Sequence, residues 1–475
     1  MKNVIKRLIG NIECIGPKLS FSLRDFIPYV LAIFLVISIH SIRIEGDTLA
    51  LITGLRKAMS CFHILNAEVP CGAGVLHFPI FQYLIGLLPA LFSRKDEVVA
   101  TTFIFVNLAG VFFAAYAFAR GGALGAGKKG SHFAMILLLS SYFIWYPWST
   151  FNEATAFTLF SMLAIAVLDK WSLAWISIIS FLCVITKEIS PPFVMYFLVF
   201  GSFLTQKLDG LSIKSLRSIV NDVGLPFLGV LLGVSLNLAF NYFRFGDIRN
   251  LSNLDPKLLT ASNYIFEYFY YLFFSPSSGL IIFWLSFPIF ILGALAFARE
   301  KLKIIAIFLC ILPIFIINWG LAHWYSPFGW NALGPRLSLP YLGAVGVFFV
   351  YIASPILDKV LNRFNWIFVF VFLTVVGIIS ALPALTAYLD SALLFRALFE
   401  PDENTAALIR NGLISREDLY IVGMKKSVII PIIVDAIKNS RLVLYYFCWL
   451  LVFVLISFLI AYPEPLNEER INKDR

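Results

Sequence analysis

Apolar residues run through this chain in blocks that approach the ~20 residues a helix needs to cross a bilayer. They lack the alternation over ~10 residues that marks a strand of an outer-membrane barrel. The first block, 26–42, predicts a membrane helix. Further spans are predicted at 98–119, 132–147, 154–168, 171–186, 189–205, 219–240, 272–297, 304–319, 337–357, 366–383 and 441–461, about twelve in all. The segment from Phe78 to Phe92 is shorter, with Pro79 near its start and Pro89 near its end, and is assigned to the membrane surface or a re-entrant turn. Leu51, Leu55, Met59 and Phe62 recur at helical spacing beside Arg56, Lys57 and Ser60, so the stretch from Asp47 predicts a helix lying in the surface. The expected fold is an all-α polytopic membrane protein with interfacial helices in its first outer loop.

Composition sharpens this. The 475 residues are 60% apolar and 14% charged, against roughly 25% charged in a soluble domain. An ordinary water-soluble enzyme is excluded, and the lipid bilayer is the solvent for much of the chain. The net charge of +9 would signal nucleic acid only if the basic residues gathered on one surface. Instead they fall in alternate connections: Arg120, Lys128 and Lys129; Lys170; Lys207, Lys214 and Arg217; Arg299, Lys301 and Lys303; Lys359 and Arg363. The intervening short connections hold fewer: Lys187, Arg244, Arg249, Lys257 and Arg336. The positive-inside rule puts the first set in the cytoplasm, and no nucleic-acid partner is implied. Treating Phe78 to Phe92 as another span would invert that distribution. A basic leader with Lys2, Lys6, Arg7, Lys18 and Arg24 precedes the first block, and Arg43, Glu45 and Asp47 follow it without a small-residue cleavage site. The first block is therefore expected to stay as a span.

The chain divides into a transmembrane module over 1–383, whose outer loop 43–97 carries an acidic motif, an outer-face segment over 384–440, and a last helix with a cytoplasmic tail over 441–475. The middle segment combines a polar helix-like stretch, Asp402 to Arg410, with an Asn411-Gly412 stop and the apolar run Leu419 to Val422, which predicts a small αβ cap. Cys183, Cys310 and Cys448 fall within spans and read as buried apolar residues, and Cys14 as cytoplasmic. Cys61 and Cys71 share the first outer loop, where they either close a disulfide or remain thiols. The run Gly122-Ala-Leu-Gly-Ala-Gly127-Lys128-Lys129 nearly fits a phosphate-binding loop, but Lys129 stands where the hydroxyl residue is needed and no strand precedes it.

Acidic residues near the apolar phase mark function by default. Three groups converge on the outer face: Glu45 and Asp47 after the first span, Asn152-Glu153 after the third, and Lys187-Glu188 after the fifth. Each also has a plainer role. Asp47 stands where it can cap the surface helix, and Glu153 where it can cap the fourth span. Lys187 and Glu188 can screen each other across a hairpin, and His77, before Phe78-Pro79, can belong to an interfacial belt.

Further motifs are Asn241-Tyr-Phe-Arg244-Phe-Gly-Asp247, Ser275-Pro-Ser-Ser-Gly279-Leu280 and Gly334-Pro335-Arg336. Taken in order with Asp47, His77-Phe-Pro79, Glu153 and Thr186-Lys187-Glu188, they make the chain over about 26–357 resemble the polyprenyl-phosphate-sugar-dependent glycosyltransferases of the C-type membrane fold (GT-C). That superfamily includes protein mannosyltransferases and lipid A aminoarabinose transferases.

The resemblance implies an inverting transfer of a sugar from a polyprenyl-phosphate donor to a cell-envelope acceptor, which is a glycan, a lipid or a protein. It places the enzyme in a bacterial inner membrane, with its site on the periplasmic or extracellular face. Lipopolysaccharide and O-antigen are among the implied acceptors. Asp47 is then the general base, with Glu153 as the second catalytic acid. Arg336, Lys187 and His77 are candidates for the donor phosphate, Arg336 foremost because guanidinium binds phosphate bidentately. Glu188, Glu45 and Arg244 are expected to position substrate. Glu153 is also a candidate ligand for a divalent metal, Mg²⁺ or Mn²⁺, and the alternative, an acceptor-positioning role, stays open. The aromatic stretch from Tyr264 to Phe274 either lines the donor's sideways path or belongs to the interfacial belt.

An O-antigen ligase or polymerase is the second reading. That class relies on a late outer loop rich in Arg and His, whereas 384–440 offers Arg396, Arg410 and Arg416 without histidine. A lipid-linked sugar transporter or flippase ranks lower, since the predicted spans carry few charges at mid-depth and no two related halves.

Overall fold

The computed structural model describes residues 46–63, 66–67, 69–71, 78–205, 213–249, 264–276, 278–324, 335–387, 411 and 440–461. Helix α1 (Gly46–Cys61) leads into a two-residue antiparallel hairpin, β1 (Phe62–His63) against β2 (Asn66–Ala67). The helices α2 (Ile80–Phe92), α3 (Asp96–Leu139), α4 (Asn152–Leu168), α5 (Leu173–Thr186), α6 (Pro191–Thr205) and α7 (Ile213–Phe245) follow. Then come α8 (Ile265–Phe274), α9 (Leu280–Phe283), α10 (Ser286–Phe297), α11 (Lys301–Leu321), α12 (Leu339–Leu361), α13 (Trp366–Ala387) and α14 (Ser440–Ala461). Short 3₁₀ helices at Tyr142–Trp148 and Arg336–Ser338 lead into α4 and α12. Among the described residues, four stretches are long and apolar enough to cross a membrane: Asp96–Leu139, Val220–Phe245, Lys301–Leu321 and Arg336–Leu361. Shorter apolar helices accompany them.

Two of the predicted spans, 98–119 and 132–147, both belong to α3. Its backbone leaves the helical region at Ala126 and Gly127, where Gly127 adopts a φ of +61°. The second arm folds back on the first, so that Ser131 Oγ donates to Ala119 O at 2.9 Å. The glycine run that nearly fits a phosphate-binding loop is this turn. The second arm stops at Leu139, short of the predicted 147. The Ser140 and Ser141 hydroxyls donate back to Leu137 O and Leu138 O, and Pro147 cannot continue a helical ladder, so the chain passes into the 3₁₀ helix Tyr142–Trp148.

The predicted span 272–297 is likewise corrected. It is three pieces, α8, α9 and α10, broken first at Ser275-Pro276 and again at Trp284. Gly279 makes the first break: a Cβ there would lie 2.4 Å from Ser275 N. The first predicted span, the αβ cap and most of 384–440 lie outside the described residues, so the count of twelve and the cap are not decided.

The core is built where α12 lies between α3 and α4. Lipid gives helices no hydrophobic reason to associate, so close approach through small residues is the usual solution. Gly343 and Gly346 supply it: a Cβ on the first would lie 2.2 Å from Phe157 O of α4, and on the second 2.4 Å from the Phe118 ring of α3. A second core lies under α1, where Leu51, Ile52 and Leu55 pack on Tyr83, Val99, Phe103 and Phe240. Helix α2 buries Tyr83, Gly86 and Ala90 and exposes Leu84, Leu88, Leu91 and Phe92.

Charges separate to the two ends of this bundle. At one end Arg120 grips Asp169 with two hydrogen bonds, 2.8 and 3.2 Å, and Lys129 reaches Asn362 at 3.0 Å. At the other end of α4 stands Glu153. With 17 residues in α4, the two ends are roughly 25 Å apart at the α-helical rise.

Candidate active site

The site is assembled from connections that the sequence prevents from being helical. Pro191 and Pro192 open α6 and stop α5 from running on, which leaves Lys187 and Glu188 in the turn between them. Pro335, with φ −76° and ψ 76°, keeps the chain out of the helical region just before Arg336. The 3₁₀ segment ends at Ser149, and Ser149-Thr150-Phe151 delivers Glu153 in the first turn of α4.

Three of the expected residues meet there. Glu153 Oε1 accepts from Lys187 Nζ at 2.8 Å and from Arg336 Nε at 3.2 Å. The Glu153 side chain is 1% exposed, while those of Lys187 and Arg336 keep 20% and 13%. A carboxylate buried this deeply is tolerable only when paired. Both cations share one oxygen of that anion, and both still reach solvent. The guanidinium of Arg336 also lies over the Phe151 ring, 3.9 Å from its centre. The other carboxylate oxygen, Glu153 Oε2, is buried and accepts no hydrogen bond.

The plainer roles of these residues can now be judged. Glu153 is not the cap of α4, which begins after Phe151; its bonded oxygen goes to the two cations. Lys187 and Glu188 do not pair with each other. Glu188 instead accepts from Arg244, so the adjacent charges face different partners.

Arg244 is wholly buried, flanked by the rings of Phe240 and Phe245. It donates to Asn241 Oδ1 and, at 3.0 Å, to Phe78 O. This places it as an internal post that fixes the residue following His77. His77 and Glu45 lie outside the described residues. Asp47 falls in the first turn of α1, whose helix begins at Gly46; its neighbour Thr48 meets Thr150 hydroxyl to hydroxyl at 2.5 Å. The head of α1 is thereby tied to the segment that carries Glu153. Cys61 and Cys71 form a disulfide, and Cys71 N donates to Phe243 O at 3.1 Å, so the end of α1 is fastened to the end of α7.

A polar layer, of which the sequence had singled out Asn152 but not Asn107 or Tyr142, supports these groups. Asn107 Nδ2 donates to Ser149 O and Phe151 O, at 2.8 and 2.9 Å. Asn152 Nδ2 donates to Thr186 O at 3.0 Å, and Tyr142 Oη to Pro335 O at 3.3 Å. Each holds one of the three connections. Asparagine in an apolar helix was the available signal, since a polar side chain there must find a partner. The Asp247–Arg249 pair is local and exposed: the Arg249 side chain and backbone N–H hold the Asp247 carboxyl down to about 2, and surface pairs of this kind contribute little.

The described surroundings of Glu153 do not fit a divalent cation, which would sit beside Lys187 and Arg336 and compete with them for the same carboxylate. Among the described residues no three His, Cys, Asp or Glu side chains gather as a metal site.

No protein-family model matches this chain, and no curated protein matches it. Two solved structures are similar to it. One is ArnT from Cupriavidus metallidurans in the apo state, at 12% identity and a TM-score of 0.45, covering 94% of this chain and 78% of that one. The other is the same protein bound to undecaprenyl phosphate, at 12% identity and a TM-score of 0.44, covering 93% and 78%.

Proposed function

We propose that this chain is a membrane glycosyltransferase that moves a sugar from a polyprenyl-phosphate donor to an envelope acceptor on its outer face, with inversion. One observation carries the reading: three connections distant in sequence bring Lys187 and Arg336, both partly exposed, onto a single buried Glu153. Such a cluster suits an anion whose charge grows during the reaction.

In this scheme the donor phosphate sits against Arg336 and Lys187, with His77 completing the set. Glu153 holds both cations in place before the donor arrives, which spares the reaction their reorganisation. Asp47 takes the proton of the acceptor hydroxyl, the acceptor oxygen bonds the anomeric carbon, and the bond from that carbon to the phosphate oxygen breaks. The electron pair leaves with the polyprenyl phosphate. Glu45 helps place the acceptor, while Arg244 and Glu188 act from behind by fixing the segment that carries His77. No metal is assigned a role.

The test is to incubate membranes containing the chain with labelled polyprenyl-phosphate sugars and follow which glycan, lipid or protein gains mass. Asp47→Asn is expected to lower turnover by ~10²–10⁴, the usual contribution of a general base, while the protein still accumulates and folds. Wild-type turnover in that variant would remove Asp47 from the role. Absence of transfer from every donor, in membranes holding folded protein, would count against the function.

A further inference from the structure

An apolar cavity of about 200 Å³ lies between α10, α12 and α13. Phe133, Phe290 and Leu373 form its buried wall, and Phe297, Phe364 and Phe368 its exposed mouth. No polar side chain lines it among the described residues. Apolar cavities of about 150 Å³ stay dry and accept apolar guests, so this one has room for a length of hydrocarbon and no use for water. It lies at the C-terminal end of α12, whereas Arg336 stands at the other end; with 23 residues in α12, the separation is roughly 35 Å at the α-helical rise. The cavity is thus not part of the site described above.

Its rim is basic. Arg299 and Lys301 follow Phe297 within four residues, and Lys359 and Arg363 flank the lining residues Val360, Leu361 and Phe364. All four are exposed. The two turns are neighbours, because Phe297 and Phe364 line the same cavity. The acids nearby are already engaged: Glu300 with Lys303 at 2.7 Å, and Asp358 with Lys129 at 3.9 Å. Trp366 follows two residues beyond Phe364, and tryptophan is enriched at the level of the lipid headgroups.

We propose that this cavity binds one anionic glycerophospholipid, with an acyl chain between α10 and α13 and the headgroup phosphate on Lys359, Arg363 and Arg299. Basic pockets between membrane helices are suited to such headgroups, and arginine and lysine form charge-assisted bonds to phosphate. A zwitterionic lipid has the same chains but cannot use the rim.

The experiment is native mass spectrometry of the purified full-length chain with phosphatidylglycerol and phosphatidylcholine of identical acyl chains. Preferential retention of phosphatidylglycerol is expected. Lys359→Gln with Arg363→Gln should weaken that retention by about tenfold or more, roughly fivefold for each basic residue. Gly293→Leu tests the cavity separately. A Cβ at Gly293 would meet only Leu357, at 3.6 Å, and Gly293 lines the cavity, so a leucine there takes up its space and should abolish retention of both lipids. Equal retention of the two lipids by the wild type overturns the proposal, as does undiminished phosphatidylglycerol retention in either folded variant. Displacement by an equimolar polyprenyl phosphate would make the cavity a donor-lipid groove and overturn it as well.

Discussion

Glu153 shows what a single residue contributes when its neighbours come from elsewhere in the chain. Removing it leaves Lys187 and Arg336 close together without their anion. Breaking a buried pair by deleting one partner costs about 3–5 kcal/mol, and the residual exposure of both cations places Glu153→Ala near the low end. Thermal unfolding in detergent should show this as a clear loss of stability, and an unchanged midpoint would mean that the carboxylate compensates nothing. Arg336→Lys keeps the charge but removes the planar donor fork and its stacking on Phe151. Turnover is expected to fall by about 10²-fold, the scale seen when one transition-state donor is lost, with the protein still folded. Full activity in the lysine variant would show that a point charge suffices. The identities of Asp47, Glu153, Lys187 and Arg336 as candidates were legible in the sequence, because ionisable residues are rare in so apolar a chain. Their pairing was not, since Lys187 is adjacent to Glu188 and yet bonds Glu153, 34 residues away.

At the scale of elements, apolar blocks and prolines located most helices to within a few residues. The errors fell at 132–147 and 272–297, where hydropathy is continuous but the backbone is not. Serine hydroxyls that compete for helix carbonyls end α3, and the Ser275-Pro276 break ends α8; neither lowers apolar content enough to register in a hydropathy pattern. Packing was equally hidden. Gly343 is one glycine among 29, and only the contact of α12 with Phe157 O shows that nothing larger fits. Gly343→Leu should therefore cost about 1–3 kcal/mol or more through overpacking against a backbone that cannot yield. Heating followed by size-exclusion would reveal it as early loss of the monodisperse peak. A variant as heat-resistant as the wild type would mean that α12 and α4 can separate without penalty.

The whole molecule is polarised, with one set of ion pairs around Arg120, Asp169, Lys129 and Asp358 and another around Glu153, Arg244 and Glu188. Loop charge predicts that the first set faces the cytoplasm. A cysteine introduced at exposed Arg249 should therefore react with a membrane-impermeant maleimide on intact cells, and one at Arg363 only after lysis. The reverse pattern would turn the protein over and place the proposed site inside the cell. The disulfide between Cys61 and Cys71 adds an internal check, because persistent disulfides belong to oxidising compartments.

By itself the sequence determined that lipid is the solvent, that the fold is helical, and which few charged residues are candidates for chemistry. These follow from composition and local periodicity, which depend on neighbours along the chain. Only the tertiary structure decided that Lys187 and Arg336 share one buried carboxylate, that Arg244 is an internal post, and that an apolar cavity lies at the far end of α12. Those facts depend on which distant segments meet, and that is set by small-residue packing and by the need of each buried polar group to find a partner.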